Sequence, residues 1–74
     1  MSNEDRIYKA LALAFEGDLV EVIDVRGDQN HFKIILRSQQ FEDLNRVAKS
    51  RLVYAALGDL AREIHAFEFE LSTP

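Results

Sequence analysis

The feature that most constrains this chain is the absence of cysteine from a sequence of only 74 residues. A domain this small buries a smaller fraction of its surface than a larger one and is marginal in stability, and no disulfide framework can support it. Hydrophobic residues make up 47% of the sequence, including five Phe and two Tyr, which favours a packed core over disorder. We therefore predict a single domain over residues 1–74 that depends on its core and supplies no thiolate.

The amino terminus and the longest apolar run indicate in which compartment of the cell the protein is expected. Two acids, Glu4 and Asp5, stand where a secretory signal would carry positive charge and then an apolar stretch. The longest apolar run, Ala10 to Phe15, is far shorter than a membrane span. We expect a cytoplasmic protein with no membrane partner.

The charge is unevenly distributed. The net charge is −4, which lowers the expectation of a nucleic-acid partner. Residues 26–51 nevertheless contain six bases against three acids, whereas the rest of the chain contains three bases against ten acids. We interpret the basic middle as a solvated face of mixed sign in preference to a dedicated electrostatic surface.

The amino-terminal half is predicted to form a helix and a hairpin. Ser2 and Asp5 have the spacing of a capping box before a helix over residues 3–15, and Gly17 stands where it should end. Strands follow over residues 19–26 and 32–37, joined by turn residues 27–30. The apolar alternation changes phase between Val22 and Ile23, which leaves room for a bulge or a twist at that point.

The carboxyl-terminal half is predicted to contain two helices and a strand. Residues 38–43 form a connection with room for one helical turn, and Asn45 caps a helix over residues 46–57. Its core-facing residues are expected to be Val47, Val53, Tyr54 and Leu57. After Gly58, Asp59 caps or opens a shorter helix, and residues 65–71 form a strand with Phe67, Phe69 and Leu71 on one face.

This order of elements predicts an α+β fold. A helix, two strands, two helices and a third strand suit a three-stranded mixed sheet covered by helices on one face. The hairpin is antiparallel, and the long helical crossover allows the third strand to run parallel to a neighbour.

No motif predicts catalysis. The sequence contains no nucleophile elbow, phosphate loop, zinc-protease helix or EF-hand loop. The three glycines are scattered, so they form no phosphate cradle, and the numerous carboxylates are typical of a solvated surface. We predict that the protein is not an enzyme.

The two histidines are the candidates for metal binding. His31 lies at the hairpin loop and His65 at a helix-to-strand junction, and neither has a second His or Cys nearby in sequence. Two imidazoles leave most of a metal's coordination shell empty, although a second protein could complete a shared site. The sequence alone favours a structural His65, in phase with Phe67 and Phe69, and a His31 with a local hydrogen bond.

The basic helix is the candidate for nucleic-acid binding. Arg46 and Lys49 share a helix face, whereas Arg51 points well away. The succession of a helix, a turn at Gly58 and a second helix loosely resembles a helix-turn-helix. We nevertheless prefer to interpret the basic residues as an ordinary solvent-exposed face of the helix. The Gly-x-x-Gly clamp of KH domains is absent.

Several short segments in a fixed order carry a family resemblance over roughly residues 18–74. They are Gly27-Asp28-Gln29-Asn30-His31-Phe32, Ser38-x-x-Phe41, Arg46-Val47, Leu52-Val53-Tyr54-Ala55-Ala56-Leu57, Ile64-His65-Ala66 and Ser72-Thr73-Pro74. Each is weak alone, but their order and spacing together are specific. In these segments the chain resembles the BolA family.

The resemblance implies a compact KH-like fold and a role in iron–sulfur chemistry. Members of this family pair with monothiol glutaredoxins and share a [2Fe-2S] cluster, in which the glutaredoxin and its glutathione supply thiolates. The BolA-like partner supplies histidine. His65 falls at the family's recurrent carboxyl-terminal histidine, and His31 falls in a loop where members often carry His or Cys.

The implied function is cluster trafficking or iron and redox regulation. Neutral imidazoles in place of thiolates raise the potential of such a cluster, as in Rieske centres. Because only unprotonated imidazole binds, the cluster should weaken as pH falls through the histidine range. The isolated chain is expected to bind no cluster and to be a monomer or weak homodimer, with the surface around Arg46 to Arg51 helping to dock the partner.

The sequence departs from the family pattern at two places. Many members have Gly where this chain has Asp43, and Arg-His-Arg in the helix where it has Ala48-Lys49-Ser50-Arg51. The family has also been associated with DNA binding through that helical region. The alternative function is therefore a DNA-binding transcriptional regulator that uses Arg46, Lys49 and Arg51.

Overall fold

The amino-terminal helix begins and ends at the residues that its capping signals indicate. In the computed structural model, which describes all 74 residues, helix α1 spans Asn3–Ala14. The Ser2 hydroxyl accepts a hydrogen bond from the backbone N–H of Asp5 at 3.1 Å, satisfying one of the helix's free donors. Gly17 follows with φ of 82°, a left-handed conformation that glycine adopts without strain.

Three strands form one mixed sheet in the order β1-β2-β3. Strand β1 spans Leu19–Asp24, β2 spans His31–Arg37 and β3 spans Ala66–Ser72. Strand β1 is antiparallel to the central β2, and β3 is parallel to β2. The expected α+β fold and mixed sheet are therefore confirmed.

Of the two features that the sequence allowed in β1, a bulge or a twist, the bulge is not present. All six residues of β1 pair in regular register with β2, so the residues that face the helices are Val20, Val22 and Asp24, and Ile23 is exposed. The apparent change of phase in the sequence arises because a carboxylate, Asp24, occupies an inward position. The backbone and side-chain amides of Gln29 donate to its Oδ2, both at 2.9 Å.

The second half of the chain covers the sheet. A 3-10 turn at Gln39–Phe41 leads to helix α2 at Arg46–Leu57, whose cap Asn45 accepts from the Ala48 N–H at 2.9 Å. Helix α3 is a single turn at Leu60–Glu63. The Asp59 side chain makes no capping hydrogen bond.

Two of the four expected core positions of α2 were wrong. Val53 and Leu57 are buried, but Val47 is 58% exposed and Tyr54 is 44% exposed, with its ring against those of Phe67 and Phe69. At 100° per residue, Val47 lies about 120° from Val53 around the helix, so it points away from the sheet.

The core lies between the helices and one face of the sheet. It consists of Ile7, Leu11, Phe15, Phe32, Ile34, Leu36, Phe41, Val53, Leu57, Leu60 and Ile64. The alternate residues of β2 supply its centre, as their period-2 pattern predicts.

No helix of the chain has the length and apolar character needed to cross a membrane.

Candidate histidine site

Parallel pairing of β2 and β3 brings the two histidines together. His31 is the first residue of β2 and pairs with Ala66, so His65 lies immediately before the paired segment. The two imidazole ring centroids are 5.1 Å apart, with their planes inclined at 58°. Residues distant in sequence thus form one pair at the end of the sheet.

Asn30 fastens the two backbone segments that carry the histidines. Its side-chain Oδ1 accepts a hydrogen bond from the His65 N–H at 2.8 Å, and its carbonyl accepts from the Ala66 N–H at 3.2 Å. A residue assigned from sequence only to a turn therefore positions the site. The turn composition predicted a polar loop, but no local signal indicated this long-range contact.

Asp28 holds the ring of His31. Its Oδ2 lies 2.7 Å from His31 Nδ1, and its Oδ1 accepts from the Asn30 N–H at 2.9 Å. Desolvation raises the pKa of Asp28, but the hydrogen bonds from Asn30 and His31 and the charge of His31 outweigh it, so that pKa lies below its ordinary value. The carboxylate therefore stays ionised at neutral pH and favours the tautomer with the proton on Nδ1.

The loop that carries Asp28, Asn30 and His31 is anchored to α1. Gln29, with φ of 58°, has a carbonyl that accepts from the Asn3 side-chain amide at 2.9 Å. Its Oε1 accepts from the Glu4 N–H at 3.1 Å. With the two bonds from Gln29 to Asp24, these contacts tie the hairpin loop to the start of the first helix.

The two imidazoles differ in exposure and partners. The His31 side chain is 19% exposed and bound to Asp28, whereas His65 is exposed and its side chain has no hydrogen-bond partner in the chain. No group of three or more His, Cys, Asp or Glu residues is arranged to hold a metal ion. The chain presents a pair of adjacent imidazole rings, one held by Asp28 and the other without a hydrogen-bond partner.

The predicted basic residues lie elsewhere, on α2. Arg46 and Lys49 line a depression of about 450 Å³ between α2 and β3, together with Ser50, Phe69, Glu70 and Leu71. Arg51 is exposed and lies outside it. Because α3 has only four residues, it is too short to act as the recognition helix of a helix-turn-helix.

The chain is thus a small α+β module in which a mixed sheet is covered by helices on one face and two imidazoles meet at one end of the sheet. Residues 11–74 match the family model described as BolA-like protein, and the chain belongs to that family. The resemblance carried by the sequence segments is thereby confirmed. The family and the names of its relatives indicate a regulatory or accessory protein.

Curated relatives and solved structures agree with this assignment. The chain is 36% identical over 78 residues to the DNA-binding transcriptional regulator BolA of Vibrio cholerae, covering 95% of this chain and 74% of the relative. It is 33% identical to the UV-induced protein uvi31 of Schizosaccharomyces pombe, over 80% of this chain and 72% of that protein. The BolA domain of SufE1 from Arabidopsis thaliana superposes with a TM-score of 0.88 at 28% identity, covering 100% of this chain and 94% of that one.

Proposed function

We propose that this BolA-like protein shares a [2Fe-2S] cluster with a monothiol glutaredoxin, in cluster trafficking or in iron and redox regulation. His65 and His31 are the ligands from this chain, and the glutaredoxin with its glutathione supplies the thiolates. In this role the protein binds and positions, and it catalyses no reaction of its own.

The observation that carries the proposal is the 5.1 Å separation of the two imidazole rings at the end of the sheet. Nothing local in sequence requires these two side chains to meet. Two neutral imidazoles on one iron are the donor set of a Rieske centre, and two ligands alone leave the rest of the shell to a partner. The donor set of this chain therefore fits a shared cluster better than a metal site of its own.

The Asp28 contact selects the nitrogen through which His31 binds. With the proton on Nδ1 donated to the carboxylate, the lone pair lies on Nε2, as in the carboxylate–histidine–metal arrangement of many metal sites. His65 has no such partner, so its ligating nitrogen is determined by the bound iron and the partner surface. His31 is the preoriented ligand, and His65 is the adaptable one.

The test is a titration of the protein into cluster-loaded monothiol glutaredoxin, followed by visible circular dichroism. We expect a new spectrum that saturates at equal amounts of the two proteins and is abolished in His65→Ala. Arg37→Ala is the matched control, since Arg37 is an exposed residue at the opposite end of β2 and should leave the spectrum intact.

A second measurement separates ligation from docking. Pulsed electron paramagnetic resonance of the reduced complex, with this chain labelled with ¹⁵N-histidine, should detect two coupled nitrogens in the wild type and one in His31→Ala. If the complex forms in gel filtration but no nitrogen couples to the iron, the proteins associate without histidine ligation and the proposal fails.

The second candidate function is DNA-binding transcriptional regulation. It is favoured by the name of the Vibrio cholerae relative and by Arg46 and Lys49, which lie together on α2 and form no ion pair within the chain. Phosphate contacts would make the affinity fall steeply with salt. Gel-shift experiments at low salt should then show binding that Arg46→Ala weakens, and no binding at low salt would eliminate this function.

A further inference from the structure

Strand β3 has an open edge whose backbone groups are free. It pairs only with β2. The Ala66 N–H donates to Asn30 O at 3.2 Å and the Ser72 carbonyl accepts from the Ser38 N–H at 2.9 Å, so Ala66 and Ser72 point their backbone groups toward β2. Alternate residues of a parallel strand point the same way, which leaves the N–H and C=O groups of Phe67, Phe69 and Leu71 on the open side.

Helix α2 places positive charge beside this edge. The depression of about 450 Å³ has Arg46, Lys49 and Ser50 on its helix side and Phe69, Glu70 and Leu71 on its strand side. The ring of Tyr54 lies against those of Phe67 and Phe69, and Arg46 at the other end of the helix lines the depression with Leu71, so α2 runs along the strand. Arg46 and Lys49 form no ion pair, whereas Arg6 pairs with Glu63 and Arg62 with Asp59.

We propose that the open edge of β3 and the facing side of α2 bind an extended acidic peptide segment of a partner protein, which joins the sheet as a fourth strand. An unpaired strand edge is a template for another strand, whose main chain supplies affinity while alternate side chains supply specificity. The free donors and acceptors at Phe67, Phe69 and Leu71 set the length of this segment at about five residues.

The charges on the two faces of the sheet predict which positions of the bound peptide are acidic and which are neutral or basic. Side chains of an added strand alternate between the faces, so every second residue faces Arg46 and Lys49 and is expected to be Asp or Glu. The residues between them lie beside Glu68 and Glu70, which are exposed on the other face, and are expected to be neutral or basic. A nucleic acid has no backbone amides for the edge and would place phosphates near these glutamates.

The proposed peptide site does not depend on cluster sharing. The histidine pair lies at the start of β3, whereas the depression involves Phe69 to Leu71 near its end. The double variant His31→Ala/His65→Ala should therefore bind the peptide like the wild type. A protein that fails to share a cluster but binds the peptide would separate the two proposals.

The probe is a capped peptide of alternating Thr and Glu, added to the full ¹⁵N-labelled chain at low salt. We expect slower amide hydrogen exchange at Phe67, Phe69 and Leu71 on binding, with exchange at Glu68 and Glu70 unchanged. A shuffled peptide of the same composition should bind less tightly. A peptide methylated at alternate backbone nitrogens should not bind, and it tests the strand pairing without any change to the protein.

Charge reversal on α2 gives the matched comparison. Arg46→Glu/Lys49→Glu should weaken peptide binding about tenfold, and Arg51→Glu, on the same helix but outside the depression, should leave binding nearly unchanged. The proposal is overturned if the alternating peptide does not bind, or if shuffling and methylation have no effect. It is also overturned if single-stranded DNA binds with the same dependence on Arg46 and Lys49 while the peptide does not.

Discussion

The helix-covered core and the polar loop between β1 and β2 are held in place by different kinds of interaction. The core consists of eleven buried apolar residues, whose contacts are non-directional and depend on volume. The loop is held by hydrogen bonds of 2.7–3.2 Å through Asp24, Asp28, Gln29 and Asn30, each requiring a particular donor or acceptor. Changes in the core should therefore affect stability, and changes in the loop should affect the geometry of the histidine pair.

The largest expected effect is on the core side of this comparison. Ile34 is fully buried in β2, so Ile34→Ala should lower the free energy of unfolding by about 2–5 kcal/mol, through lost burial and a residual cavity. Denaturation in urea measures this change. The matched variant Ile23→Ala, on the exposed face of β1 at 41% exposure, should cost less than about 1 kcal/mol, and equal losses would contradict the assigned register.

Asn30→Ala tests the loop side. Loss of the acceptor for the His65 N–H should cost only about 1 kcal/mol, but it should change the imidazole chemical shifts of both histidines. Of the two bonds from Asn30 that fasten their backbones together, only the one from the Ala66 N–H to the Asn30 carbonyl remains. Asn45→Ala removes the cap of α2 at a similar cost and is the control. Unchanged histidine shifts in Asn30→Ala would show that strand pairing alone positions the site.

Asp43→Gly tests a third contribution to stability, backbone strain, which is distinct from the packing of the core and the hydrogen bonds of the loop. Asp43 has φ of 63°, a left-handed conformation that costs an L-residue more than glycine. We expect Asp43→Gly to raise the free energy of unfolding by about 0.5 kcal/mol, after allowing for the greater flexibility of unfolded glycine. A lowered melting temperature would mean that the Asp43 side chain stabilises its turn by more than the strain it introduces.

The smallest expected effect on stability is that of Asp28→Asn. The pKa of Asp28 lies below its ordinary value of 3.8, so its stabilising contribution is present at neutral pH and is lost only as pH falls below about 4. At pH 7 we expect little change in stability but a shift of the His31 tautomer equilibrium in ¹⁵N spectra. A loss of stability at pH 7 as large as that of Asn30→Ala would show instead that the Asp28 carboxylate is a principal support of the loop.

Much of the fold was predictable from local patterns. The caps at Ser2 and Asn45 located the starts of α1 and α2, and the alternation of Phe32, Ile34 and Leu36 identified the buried face of β2. Errors arose where one residue broke a pattern. Asp24 occupies an inward position without a bulge because Gln29 donates twice to its Oδ2, although Oδ1 is buried with no partner. The exposed Val47 lies on the far side of α2.

The candidate site was predictable only in part. The family resemblance singled out His31 and His65, but the residues alone favoured inert roles for both. Neither Asp28 nor Asn30 was assigned to the site, because their function depends on contacts made after the loop folds. The left-handed conformation at Asp43 was equally inaccessible, although its departure from the family's glycine marked the position.

The sequence by itself determined the elements of this protein, their order and the buried face of β2, since these follow from periodicity and capping within a few residues. Only the tertiary structure decided that β3 lies parallel to β2 with His31 beside Ala66. That register depends on packing the alternate residues of both strands under the helices, a condition imposed by the whole core. The meeting of the two imidazoles and the open edge of β3 are consequences of that packing.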